Sequence, residues 1–426
     1  MSSSHCSRPV ARLFRMAPAY GALSLVLSTQ IASAQELTLS GALSKVAATD
    51  PSLAVNAARL DAAKAAVAQA DVRPRDVVGV EVENFAGTGP YSPLEGQETT
   101  AWYERTWERG GKREARIGAA RSELGVTGER NRLRMLDVLA IAQAAWVDAL
   151  AAEAEIPIAQ QRLAAAERLR IETGRRVARA LDPLFVAERA KTAAAEAQIA
   201  LDRAREQARI ARASLAGWWG GSAEFDLETA SFFSVDAAAP PASGAADLAL
   251  LTAEREAAEA RVRLAEAGNA GDLSARAGIR HFGQGNDVAV MVGGSIPLGS
   301  RAANRANVAR ALAESRSAEA EIAVARLHAG REIERLVAQR AALASEIGRI
   351  EHEVLPAAEK AVALVRDGFA RGGTAFTFLE VNQAQQAVID AQSRRVDLLR
   401  QFHHAGARLD RLTGRHASLL SDMENR

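Results

Sequence analysis

The chain has 426 residues, of which 48% are hydrophobic but only 4% aromatic, and its 53 basic side chains are matched by 52 acidic ones. So few aromatics argue against an aromatic-rich globular core and for long, closely packed helices built on Ala, Leu and Val. A formal charge of +1 provides no basic excess to hold nucleic acid, which is excluded as a partner.

Residues 1–34 read as a secretory signal: Arg8, Arg12 and Arg15, then the apolar run Ala17 to Leu27, then an Ala32-Ser33-Ala34 cleavage site. The apolar run is too short to span a membrane, which takes ~20 residues. Cys6, the only cysteine, lies inside this segment, so the mature chain is expected to have no disulfide and no lipid-accepting cysteine. Loss of the three arginines lowers the basic count to 50 against 52 acidic residues, a net charge of −2. No later stretch reads as a transmembrane helix, so entry into a membrane falls to strands.

A first repeat is expected over 35–217. It begins with a helical pattern broken at Asp50-Pro51, followed by strands at 77–85 and 99–107. A helix at 111–178 then makes a rod of roughly 100 Å, with a kink expected at Pro157. Asp182-Pro183 reads as an N-cap and first helical position for a return helix at 182–217. A connector over 218–246 carries paired aromatics and prolines.

The second repeat, 247–413, has the same order: helix, strands at 273–282 and 288–296, a long helix at 301–371 and a return helix at 376–412. Leu336, Leu343, Ile347, Ile350 and Val354 follow coiled-coil spacing in that long helix, and Pro356 sits in it as Pro157 does in the first. Residues 414–426 read as a short polar tail. The strand-to-helix joints, marked by Gly110, Gly111, Pro297 and Gly299, align Gly110 with Gly299, Lys112 with Arg301, Arg116 with Arg305 and Arg121 with Arg310.

Four strands of this length can cross an outer membrane when tilted but cannot close a barrel, which needs at least about eight. An open edge in lipid leaves backbone groups unsatisfied at several kcal/mol each, so the chain must associate. The expected fold is mainly α with a small transmembrane β part, closed by association into an α/β barrel. A soluble exported helical bundle with incidental hairpins is the alternative from patterning alone.

This order of elements resembles the TolC-like outer-membrane efflux channels, over almost the whole mature chain. The joint Trp107-Glu108-Arg109-Gly110-Gly111-Lys112-Arg113 is similar to that of the heavy-metal cation-efflux (CzcC-like) branch. Leu379-Glu380-Val381-Asn382-Gln383-Ala384-Gln385 resembles the family's periplasmic tip, whereas the first tip has Ala180 near the place of the usual glycine. The resemblance implies a homotrimer of twelve strands and twelve helices in the outer membrane of a Gram-negative bacterium, extending into the periplasm. It also implies docking to a periplasmic membrane-fusion adaptor and an inner-membrane RND pump. The cargo it implies is divalent heavy-metal cations, with multidrug efflux, type I secretion and a periplasmic adaptor-like coiled coil as alternatives.

Arg179, Asp182, Leu184, Arg371, Gly372, Gly373 and Glu380 are the candidates for tip gating and adaptor docking. Arg175, Arg176 and Arg179 beside Asp182, with Arg371 and Glu380 in the other copy, suggest charged pairs that hold a closed state. Tyr91, Trp102, Tyr103 and Trp107 suggest an aromatic girdle against outer-membrane lipid. His403-His404 are helix neighbours about 100° apart and form no i, i+4 chelate, so no metal site is expected. No phosphate-binding glycine loop, G-x-S-x-G or H-E-x-x-H is present, and neither enzyme activity nor a cofactor is expected.

Overall fold

The computed structural model describes residues 36–89, 96–236, 246–371 and 376–424, with side chains to 420. The signal segment, Tyr91, Gly372 and Gly373 lie outside these residues. The elements, in order, are α1 (Leu39–Thr49), α2 (Ser52–Ala70), β1 (Val77–Glu83), β2 (Glu98–Trp107), α3 (Lys112–Ala178) and α4 (Leu184–Ala216). After the connector come α5 (Ala246–Ala267), β3 (Leu273–Phe282), β4 (Val288–Ser295), α6 (Ser300–Arg349), α7 (Leu355–Ala370), α8 (Phe378–Thr413) and α9 (Ala417–Glu424).

The hydrophobic core is strung along the helices as separate clusters. The largest gathers Trp146 and Leu150 of α3, Leu215 of α4, Ile347 of α6, Leu399 and Phe402 of α8 and Phe232 of the connector. The connector is fastened there by a parallel bridge between Leu37 and Leu227, with the Leu37 amide donating to the Asp226 carbonyl at 2.8 Å. Between clusters alanine carries the contacts: Ala190, Ala194, Ala197, Ala204 and Ala208 are the buried stripe of α4. One helix, α3, is in fact long and apolar enough to cross a membrane, which the sequence reading denied. Its apolar stretch is instead core, with Leu139, Ala142, Trp146, Ala149 and Leu150 buried against other helices.

Two prolines that look equivalent are not. α3 runs as one unbroken helix through Pro157. Pro356, by contrast, follows a π turn at Ile350–Val354 in which the Leu355 amide reaches back to the Ile350 carbonyl. Proline has no N–H to return to the preceding turn, and the widened turn absorbs the mismatch. The expected single helix at 301–371 is therefore α6, a π turn and α7. The extra residue also rotates the seam: Leu336, Leu343, Ile347 and Ile350 are buried, but Val354 is 47% exposed. The tail is not simply polar, because α9 sets Leu420 against Leu43, Leu136 and Leu139.

The four strands form one antiparallel sheet in the order β1-β2-β3-β4, so β1 and β4 are its two edges. Each hairpin runs into a long helix through a left-handed glycine at the N-cap, Gly111 (φ 71°) for α3 and Gly299 (φ 78°) for α6. This corrects the internal alignment by one residue, since Gly111 rather than Gly110 corresponds to Gly299. The corrected register pairs Arg116 with Asn304 instead of Arg305, and these two side chains do the same job. Arg116 donates to the Ala70 and Val72 carbonyls at the end of α2, and Asn304 to the Ala265 carbonyl at the end of α5. Both bring a side-chain donor to carbonyls at the C-terminal end of a helix, where the regular ladder runs out.

The first tip closes with a Schellman turn. Leu181 N–H bonds to the Arg176 carbonyl at 2.9 Å and Ala180 N–H to the Val177 carbonyl at 2.9 Å. Ala180 holds the left-handed position (φ 57°) usually given to glycine, at a cost of about 1–2 kcal/mol. Ala180→Gly is expected to slow hydrogen exchange of the Ala180 and Leu181 amides about fivefold, equivalent to ~1 kcal/mol. Exchange unchanged or faster would show that the alanine is not strained there.

Candidate functional site

The pleat sorts the sheet into two chemically opposite faces. The strand register places Val78, Val80 and Val82 of β1 opposite Tyr103, Ala101 and Thr99 of β2. The same row continues through Ala277 and Ile279 of β3 to Val292 and Val290 of β4. These side chains face outward with no cover from the chain: Val80 is 69% exposed and Val290 78%. A continuous exposed apolar face of this kind suits lipid and not water.

The other face is charged and internally paired. Arg280 donates to Glu98 at 2.7 Å and to Glu83 at 2.8 Å, bridging three strands. Arg276 meets Glu104 at 3.0 Å and lies 4.0 Å over the Trp102 ring. Trp102 lies flat because Gly79 and Gly278 on the flanking strands leave room; a Cβ on Gly79 would stand 2.3 Å from the indole. Trp102 thus points away from the proposed girdle, on the charged face. Tyr103 and Trp107 do lie on the apolar face, with the Tyr103 hydroxyl donating to Asp76 at 2.7 Å. Sequence alternation showed Arg276 and Arg280 sharing a face, but their carboxylate partners depend on register that only the folded sheet reveals.

The first strand-to-helix joint is an ion-pair hub that accounts for its motif residue by residue. Glu108 holds Arg116 through two bonds of 2.5 and 3.1 Å, Lys112 takes Asp272 at 2.7 Å, and Arg113 takes Asp71 at 2.7 Å. Gly110 is required twice over, by its φ of 73° and by Ala270, whose Cβ would be 2.5 Å from a Cβ at this position. Gly111 has the same φ requirement but open space around it. Gly110→Ala is therefore expected to lose about 3 kcal/mol and Gly111→Ala about 1 kcal/mol. Melting of the detergent-solubilised protein checks this, and equal shifts for the two variants would contradict the packing argument. Pro297 is the counterpart outside the second joint, with the Ser300 hydroxyl donating to its carbonyl at 3.3 Å.

At the tips the structure redistributes the expected roles. Asp182 does not cap the return helix, which starts at Leu184 after an extended Pro183. Its carboxylate instead takes the Arg176 guanidinium through bonds of 2.6 and 3.2 Å. A two-point charged pair outcompetes a single cap bond. The same guanidinium donates to the Phe369 carbonyl at 2.8 Å and stacks 4.3 Å over the Phe369 ring. Arg176 thereby ties the first tip to the end of α7 in the second repeat, and its bond to Asp182 raises its already high pKa.

The other tip candidates do not join this contact. Among the described residues Arg371 pairs only with Asp367, one turn earlier on its own helix. Glu380 forms the capping box of α8 with Thr377, which also holds its carboxyl below the usual range. Arg179 is the C-cap of α3, and Leu184 is exposed beside Leu181 and Phe185. Arg176 was visible in the sequence only as one of a cluster of three arginines.

The adjacent histidines go separate ways, His403 to the Phe232 carbonyl and His404 to Asp148, both at 2.8 Å. Burial holds the His403 pKa below the usual imidazole range. Among the described residues no group of three His, Cys, Asp or Glu side chains could hold a metal ion.

A model of the family described as outer membrane efflux protein matches residues 242–415, the whole second repeat. The second repeat therefore carries the signature of the outer membrane efflux protein family. The cobalt-zinc-cadmium resistance protein CzcC of Cupriavidus metallidurans is 26% identical over 90% of this chain and 91% of that protein. The nickel-cobalt-cadmium resistance protein NccC of Alcaligenes xylosoxydans xylosoxydans is 28% identical over 80% of this chain and 79% of its own length. Among solved structures, the outer membrane protein VceC of Vibrio cholerae superposes with a TM-score of 0.67 at 22% identity, covering 88% of this chain and 96% of that one. CusC gives a TM-score of 0.72 at 16% identity, covering 89% and 92%. The fold shared with these structures therefore extends over close to nine-tenths of the chain, including most of the first repeat, which the family model does not match.

Proposed function

We propose that this protein is the passive exit duct of a tripartite efflux system, conducting divalent heavy-metal cations across the outer membrane. The observation that carries the reading is the two-faced sheet with two open edges, fused twice to helices tens of residues long. Three copies would bring β1 of one protomer beside β4 of the next, closing twelve strands into a barrel. The apolar face would then meet lipid and the charged face an aqueous lumen. The helices would continue as a tube into the periplasm, its tips meeting an adaptor through exposed Leu181, Leu184 and Phe185 and, behind the adaptor, an RND-type pump. Export by the N-terminal signal, without lipidation, belongs to the same reading.

The assignment of metal cargo is supported by the names of CzcC and NccC and by similarity over most of their length. A duct needs no tight cargo site, since tight binding slows passage. Deletion of the gene is expected to lower tolerance to cobalt, zinc, cadmium or nickel salts, with recovery on complementation. Unchanged metal tolerance together with new sensitivity to dyes or detergents would move the cargo to organic compounds.

A further inference from the structure

We propose that the strand-to-helix joints form a basic collar that binds the phosphates of anionic phospholipids in the periplasmic leaflet. The proposal rests on the membrane reading above and adds to it a lipid class and a site. At the first joint a groove of about 350 Å³ is lined by four basic side chains, Arg73, Arg105, Lys112 and Arg113, and three acidic ones, Asp76, Glu108 and Glu114, beside Trp107. It opens where the apolar face of the sheet ends: Trp107 is half exposed and paired in register with Leu273, one pleat below Tyr103 and Arg105.

The charges there do not cancel. Asp71 is held by Arg113, Asp76 by Arg105, Glu108 by Arg116 and Asp272 by Lys112. Among the described residues Arg73 of the groove wall, and Arg75 and Arg109 next in the chain to its lining residues, make no side-chain ion pair or hydrogen bond, and of the acids lining the groove only Glu114 is left without an ion pair. The pair made by Arg105 is long, 3.9 Å, and its guanidinium lies 5.6 Å from the Trp107 ring.

The second joint repeats the combination with different residues. Leu298 is 92% exposed, Ile296 beside it is exposed, and Arg301 and Arg305 follow without an ion pair among the described residues. Both joints thus place guanidiniums without an ion pair within a few residues of an exposed apolar side chain, where the sheet ends. That is the layered order of a leaflet, acyl chain then phosphate, which a freely diffusing phosphate does not require. Basic residues at such a surface attract anionic lipid individually and add up in clusters.

The test uses the full-length protein purified in mild detergent and analysed by native mass spectrometry with added phosphatidylglycerol or phosphatidylcholine. The wild type is expected to retain phosphatidylglycerol preferentially. The triple variant Arg73→Gln/Arg75→Gln/Arg109→Gln, which spares every ion pair of the joint, should retain on the order of tenfold less. Its phosphatidylcholine retention and its recovery from the outer-membrane fraction should match the wild type. Equal phosphatidylglycerol retention by both proteins would overturn the collar, as would displacement of the lipid by millimolar inorganic phosphate. Absence of the wild type itself from the outer membrane would instead overturn the membrane reading, which the fractionation registers separately.

Discussion

Val80→Arg is expected to abolish assembly in the outer membrane, whereas Glu81→Arg, at the very next residue, leaves it intact. The two positions differ by one step along β1 and so face opposite sides of the sheet. Val80 lies in the middle of the exposed apolar row, opposite Ala101 and two strands from Ile279. An arginine at the midplane of a lipid-facing strand costs about 2–4 kcal/mol, and threefold repetition in a trimer makes that about 6–12 kcal/mol. Glu81 stands on the charged face with Glu83 and near Arg280, where a cation is solvated. Immunoblotting of separated membranes reads the outcome. Equal assembly of both variants would contradict the assignment of the faces.

The second large effect is expected at Arg176. Its side chain and that of Asp182 are mostly buried, at 12% and 18% exposed, so removing either partner leaves a desolvated charge at a cost of about 3 kcal/mol. Arg176→Ala and Asp182→Ala should each free the first tip from the Phe369 carbonyl and raise single-channel conductance severalfold in planar bilayers. The double variant should do no more than either single one, because both act on one contact. Arg371→Glu is the contrasting case. Its pair with Asp367 is exposed and within one helix, a type that contributes ~0.2–1 kcal/mol, so conductance should stay near the wild-type value. Unaltered conductance in Arg176→Ala would remove the tip contact as a latch and return weight to Arg371 and Arg179.

What the sequence revealed and what it hid follow a physical division. The long helices, the hairpins and their tandem order are written in local periodicity, so both repeats could be read without partners. The internal alignment slipped by one residue because glycines occur in a pair at the first joint and singly at the second. Only the left-handed N-cap geometry shows which of the pair corresponds to Gly299.

At the candidate sites, residue types were legible and pairings were not. Asp182-Pro183 carries a true turn signal, yet the carboxylate was claimed by Arg176 six residues earlier, a competition that local rules do not rank. Trp102 reads as one of three neighbouring aromatics, but an odd or even position along β2 decides its face. Glycines on two other strands, Gly79 and Gly278, then decide that it lies flat.

The measurement that bears most directly on the whole account is the native mass of the tagged protein extracted in mild detergent from separated membranes. A trimer recovered from the outer-membrane fraction is the predicted result, because four strands with two open edges require partners in lipid. A monomer recovered from the soluble periplasmic fraction would contradict the barrel and the duct built on it.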